Sequence, residues 1–288
     1  MKRISLLFVL CSLIFTSCED EVDITLDKGE AQLVVDGFIT NDSNLQTIIL
    51  SRSADYFSNT TTPAVTNATV KVHGPNQSYD FVHSQDGHYI YDPSTFGALD
   101  SISFPYKLEV IYDNETYEAT SILQPVPLID SMTQTYRAKS LFFMEGYYAQ
   151  FYATDFAGRD DWYWIKAYKN GELLQNRPTD FTFSKNGGMM GLEADGSEFL
   201  GHIRSAITKS DAPFELGDTS TVELLSLNEA AYNFLEEVVT QANNGGIFSA
   251  PPANIKSNIK NTSGNLENKI LGVFSISSIQ TKSLIISN

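Results

Sequence analysis

His83 and His88 stand on either side of an Asp86–Gly87 pair in "FVHSQDGHYIYD", near enough to meet across a tight turn. Two imidazoles need further ligands to hold a metal ion, and Asp86 is the nearest carboxylate. Exposed hairpin histidines are the simpler expectation. A second group, "TDFAGRDDW", places Asp155, Asp160 and Asp161 around Gly158. Oxygen-rich turns hold calcium, but the D-x-D-x-D-G spacing of a calcium loop is absent, so a solvated turn is expected. His73 and His202 stand apart, and the chain has no HExxH, GxSxG, Walker loop or cysteine nucleophile. The expectation is a protein that is not an enzyme, with no catalytic residue, metal or cofactor. Carboxylate pairs for glycoside hydrolysis are set by the fold rather than by a local signature, which keeps a hydrolase as the rival reading.

Cys18 carries the clearest chemistry. Lys2 and Arg3 precede an apolar run from Leu6 to Phe15, shorter than the roughly twenty residues a membrane helix needs. Such a run reads as a signal peptide. Thr16 and Ser17 supply small residues directly before Cys18, an arrangement that resembles the bacterial lipobox, with Phe15 departing from the usual small aliphatic. Lipidation of the Cys18 thiol followed by cleavage would remove residues 1–17, Cys11 with them, so no disulfide is expected in the mature chain. Each buried acyl methylene contributes about 0.8 kcal/mol, and two or more chains anchor stably. Glu19, Asp20, Glu21 and Asp23 then follow in an acidic tether over 18–30, which resembles the surface-export signal of Bacteroidota lipoproteins.

Charge narrows the partners. Of 19 Lys and Arg, cleavage would remove Lys2 and Arg3, leaving 17 against 35 Asp and Glu, a formal charge of −18. That balance argues against nucleic acid and against adhesion of the folded body to anionic membrane. Attachment to the membrane is therefore expected through the lipid.

The elements that must position any site are mostly strands. "QLVVDGFIT" (32–40), "TIILS" (47–51) and "ATVKVHG" (68–74) are β-rich. Two hairpins follow, over 79–92 with Asp86–Gly87 at the turn and over 106–121 with Asp113–Asn114. This set suits an N-terminal immunoglobulin-like or transthyretin-like β-sandwich over 31–123. "QPVPLID" (124–130) is a stiff connector. A second β-rich domain over 131–288 holds aromatic strands and one amphipathic α-helix near 227–242. Ser226 and Glu229 suggest its capping box, and Leu227, Ala231, Phe234, Leu235, Val238 and Ala242 make its apolar stripe. The expected fold class is mainly β.

Aromatic residues mark the candidate contacts. Trp162, Trp164 and Tyr168 share one strand face, and Tyr148, Gln150 and Tyr152 share another. Either one face is an exposed platform for a sugar or a protein, or the sheet is buried between the sandwich and the helix. The segments 184–201 and 243–261 are the longest loops, offering Met189, Met190 and Phe248 as adaptable apolar contacts. Trp162 and Trp164 are the candidate anchors.

The order "LVVDGFIT", "ATVKV", "DGHYIY", "LIDSM" (128–132), "PPANIKSNIKN" (251–261) and "LGVFS" (271–275), behind an acidic tether, resembles domain-of-unknown-function family 4249, lipoproteins of Bacteroidota. That resemblance implies an outer-membrane, cell-surface accessory of a TonB-dependent transporter. It supplies no catalytic residues. The expected function is docking on such a transporter and helping to capture its cargo. A surface hydrolase acting on glycan or peptide, or a structural component of an envelope assembly, are the alternatives.

Overall fold

Alternation in "LVVDGFIT" produces β1 (Leu33–Thr40), whose Leu33, Val35 and Ile39 are buried while Asp36 is exposed and Phe38 half-buried. The computed structural model describes residues 31–54, 61–189, 191–192, 194–244, 254–264 and 270–288, with 31–288 forming one compact unit. Cys18, Glu19, Asp20, Glu21, Asp23, Met190 and Phe248 lie outside the described residues.

The first sheet is built from β1, β2 (Gln46–Arg52), β3 (Thr69–His73), β4 (Ser78–Gln85), β5 (His88–Tyr91), β6 (Pro105–Tyr112) and β7 (Glu115–Ile122). Both sequence-expected turns are present. Asp86 and Gly87 have φ of 46° and 77°, and Asp113 and Asn114 have 52° and 61°, the left-handed pair that a two-residue hairpin turn requires. A Cβ at Gly87 would strike the Leu50 carbonyl oxygen, so the turn also needs a glycine for space. A single helical turn, α1 (Pro93–Phe96), follows β5, with the Asp92 carboxylate accepting from the Ser94 N–H at 3.0 Å.

β4 turns the sheet into a sandwich. Its Tyr79 and Phe81 pair with β3, whereas Val82 and Gln85 pair with β5 across a bulge. The ladder thereby folds over itself around Val35, Leu50, Val72, Tyr89, Tyr106 and Leu108. Burying each such side chain contributes about 1.5–3 kcal/mol relative to leaving it in water.

The far end of the chain completes this sandwich. β8 (Ile129–Arg137), β9 (Gly146–Ala153), β10 (Trp162–Lys169), β11 (Glu172–Leu173), β12 (Thr182–Lys185), helix α2 (Gly201–Ser205), β13 (Thr219–Leu227) and helix α3 (Glu229–Ala242) intervene. Then β14 (Lys260–Asn261) pairs with β7, and β15 (Ile270–Ser277) runs parallel to β1 from Leu33↔Ile270 to Thr40↔Ser277. The sheet order is β14-β7-β6-β3-β4-β5-β2-β1-β15. Strand pairing therefore divides the chain differently from a cut at 124–130, because Lys260–Asn261 and Ile270–Ser277 sit on the first sheet. Gly272, at φ 94°, lies so close to β1 that a Cβ there would run into the Val35 carbonyl.

β15 continues through Ser278 directly into β16 (Ile279–Ile285), which belongs to the second sheet, ordered β11-β10-β13-β16 with β12 also on β10. The joint is pinned by short bonds. Ser226 N–H donates to the Ser278 carbonyl at 3.0 Å, Ser278 N–H to Ser226 Oγ at 2.9 Å, and Ser226 Oγ to the Gln124 carbonyl at 2.7 Å. Ser226 thus closes the joint and does not cap the helix. The cap is Asn228, whose side chain accepts from Ala231 N–H at 2.7 Å, while Leu227 ends β13 opposite Trp162. Pairing of Leu227 with β10 overrides the helical stripe at its first position.

The β8–β9 hairpin covers one face of the second sheet, enclosing Phe151, Tyr163, Ile165, Phe199, Val222 and Leu224. The other face meets α3 and the outside of the sandwich, where Leu227, Ala231, Leu235 and Val273 are buried with Phe38 and Trp164 against them.

Candidate functional site

Neither face of β10 is an open aromatic platform; the sheet is packed on both sides. Tyr163, Ile165 and Ala167 enter the core under the β8–β9 hairpin. On the opposite face Trp164 is enclosed by Phe38 at 5.3 Å and Phe181 at 5.4 Å, and the Lys166 ammonium lies 4.2 Å over its ring. Burial pushes the Lys166 pKa down, against the pull of Glu223, Asp36 and Asp42. Trp164 is thus an internal strut between the two sheets. Tyr168 donates to Glu223 at 2.7 Å on the same face.

Tyr148 and Tyr152 lie on the hairpin, away from both tryptophans in the fold. Tyr148 is buried, with its Oη 2.8 Å from the Met144 carbonyl, and Tyr152 lies under the Arg204 guanidinium at 4.4 Å.

Trp162 and Met189, by contrast, come together. They line a pocket of about 370 Å³ whose walls are the start of β10, the end of β12, the turn after it, and α3. From the sheet come Trp162 and, paired with it in register, Lys185. From the turn come Met189 and the exposed Leu192. From α3 come Glu229, Tyr232, Asn233 and Glu236, the i, i+3, i+4, i+7 positions that share one helical face. Asp160 closes the rim and pairs with Lys185 at 3.3 Å. Tyr232 donates to Glu236 at 2.9 Å. Burial first, then that bond to a carboxylate, push its phenol well above the usual range, which keeps it a neutral donor. The acidic positions of α3 were missed because a charged helix face normally reads as solvated.

Residues of the 184–201 and 254–261 segments both border α3. In the first, Ala194 and Phe199 are buried and Ser184 Oγ donates to the Gly188 carbonyl at 2.7 Å, whereas Leu192 is exposed. The second borders a larger depression of about 870 Å³ along α3.

The aspartates around Gly158 differ from the expected solvated turn. Asp155 and Asp161 are buried, and only Asp160 is exposed. Tyr163 Oη donates to Asp155 at 2.6 Å, and Arg159 Nε lies 2.8 Å from both oxygens of Asp161. Burial raises the Asp155 pKa more than the Tyr163 bond lowers it. His83 packs edge-on to Tyr89 at 5.3 Å, while His88 Nδ1 sits 3.1 Å from the Gln85 carbonyl. Among the described residues no three His, Cys, Asp or Glu side chains gather as a metal site.

One surface feature has no counterpart in the sequence reading. The β8–β9 turn exposes Leu141 at 96% and Phe142 at 80%, with Tyr136 and Met144 half-exposed behind them. Phe143 between them is held back by Arg137, whose guanidinium lies 4.3 Å over its ring.

A mainly β protein built on several sheets, with a pocket beside its helix and an apolar hairpin tip, is the class these features define. The family model described as Domain of unknown function (DUF4249) matches residues 19–283, and the chain belongs to that family. No curated protein matches it.

Proposed function

We propose that this chain is a lipid-anchored outer-membrane protein, displayed at the cell surface, that docks on a TonB-dependent transporter and helps to capture its cargo. The observation that carries the docking role is the Leu141–Phe142 tip. Two adjacent large side chains, 96% and 80% exposed, have no intramolecular cover, and exposed apolar groups grouped in this way mark interaction sites. The partner class comes from the family resemblance, and the anchor from Cys18 behind its apolar run. The pocket beside Trp162 supplies a place for cargo. This reading moves the docking element from the 184–201 and 243–261 loops to the β8–β9 turn.

Affinity capture from native outer membrane, with partners identified by mass, tests it. The wild-type chain is expected to bring down a transporter barrel, and Leu141→Ser/Phe142→Ser to lose it at least tenfold while melting normally. Equal capture by both proteins would remove the tip from the interface. Retrieval of no transporter by either would remove the transporter reading itself. Cys18→Ala tests the anchor separately, by loss of precursor processing and of membrane retention.

A further inference from the structure

We propose that the Trp162 pocket binds an organic cation: an amine or guanidinium ligand carrying a ring or alkyl body. This deepens the cargo-binding part of the function proposed above and is independent of the transporter part. The cavity, about 370 Å³, falls in the size range of small-molecule sites. Among the described residues its walls combine Trp162, Tyr232, Met189 and Leu192 with the carboxylates of Asp160, Glu229 and Glu236 and the ammonium of Lys185. An anion would meet that excess of negative charge, and a wholly apolar ligand would leave the carboxylates poorly solvated. A cation with an apolar body matches both kinds of wall.

The bonding state of the lining groups points the same way. Lys185 is committed to Asp160 and Tyr232 to Glu236. Among the described residues Glu229 has no hydrogen-bond or ion-pair partner, and no ring or cation lies against Trp162. Two residues along the same face, Trp164 carries the Lys166 ammonium at 4.2 Å. A ligand cation over Trp162 would repeat that geometry, with Glu229 and Glu236 available to hold its N–H groups. Cations are drawn to the face of an indole ring, and carboxylates make the stronger, charge-assisted hydrogen bonds to such donors. Met189 and Leu192 would pack against the apolar body, since methionine adapts to varied shapes.

The chain has 2 tryptophans, so Trp164→Phe leaves Trp162 as the sole indole reporter. The full-length protein with that change would be titrated with benzylamine and with its neutral counterpart benzyl alcohol. Benzylamine is expected to shift Trp162 emission saturably, binding at least tenfold tighter than the alcohol. Adding Glu229→Gln and Glu236→Gln should cut amine affinity at least fivefold, leave the alcohol unchanged and leave the melting temperature in place. Equal affinity for the two probes, no saturable response to the amine, or amine binding indifferent to the glutamine changes would each overturn the proposal. Tighter binding of a neutral disaccharide than of the amine would overturn it in favour of a glycan site. No transporter enters this experiment, so its outcome is separate from that of the membrane capture.

Discussion

The sandwich and the second sheet solve the same packing problem in different ways. In the sandwich one continuous ladder folds over at the β4 bulge and is sealed by β15, a strand from the other end of the chain. Its alternate residues fill one core, and two of its hairpins close through tight two-residue turns at Asp86–Gly87 and Asp113–Asn114. In the second sheet β10 is sandwiched between unlike neighbours: the β8–β9 hairpin on one face, and α3 with the outside of the sandwich on the other. Irregular neighbours leave space, and the 370 Å³ pocket and the exposed hairpin tip both lie in this second region. The rigid ladder supplies a frame, and binding surfaces appear where unlike elements meet.

The largest expected effect falls on the seal of the sandwich. Gly272→Ala places a Cβ against the Val35 carbonyl at a positive φ, and strain that only backbone movement can relieve belongs to the severe class of losses. A cost of about 4 kcal/mol or more is expected, read by denaturant unfolding. A loss below about 1 kcal/mol would mean that β1 and β15 are less tightly joined than their register implies.

A smaller effect is expected where the two regions touch. Phe38→Ala removes the edge-to-face contact with Trp164 at 5.3 Å and should cost about 2 kcal/mol. The informative readout is calorimetric: the wild-type chain should unfold in one transition, because β15 and β16 are one ribbon shared by both sheets. Two resolved transitions in the wild type would show that the regions are separable domains.

Smaller still is a pH effect confined to the second region. Asp155 has a raised pKa because it is buried. The folded state therefore keeps its proton to higher pH than the unfolded chain does. Stability from this group is present below the ordinary carboxylate value and falls as pH rises through the raised one. Asp155→Asn keeps an acceptor for Tyr163 without the charge, so its stability relative to wild type should improve from about pH 4 upward. A difference that does not change with pH would mean Asp155 is ionised without penalty.

Several features were legible for local reasons. Asp86–Gly87 and Asp113–Asn114 announce turns because few residue pairs tolerate two positive φ angles. The strand faces of β1 and the buried stripe of α3 at Ala231 and Leu235 follow from alternation and helical spacing. Long-range features were not legible. Nothing local in "ILGVFSIS" says that it pairs in parallel with β1, nor that Ser278 carries the chain between sheets. Ser226 and Glu229 match a capping pattern, yet tertiary pairing of Leu227 decides where the helix begins. Among candidate site residues, Trp162 and Met189 converge, whereas Trp164, Tyr148 and Tyr152 serve packing; which aromatic is free depends on its neighbours across the fold. Leu141 and Phe142 sit in an apolar run that composition alone would place in a core.

The most direct measurement of the functional account is photocrosslinking in intact cells. A photoreactive phenylalanine analogue would replace Phe142 on the hairpin tip in one strain and Val82, 65% exposed on the sandwich, in another. The account expects an adduct with a TonB-dependent transporter from position 142 and none from position 82. An adduct from position 82 alone would place docking on the sandwich and contradict it.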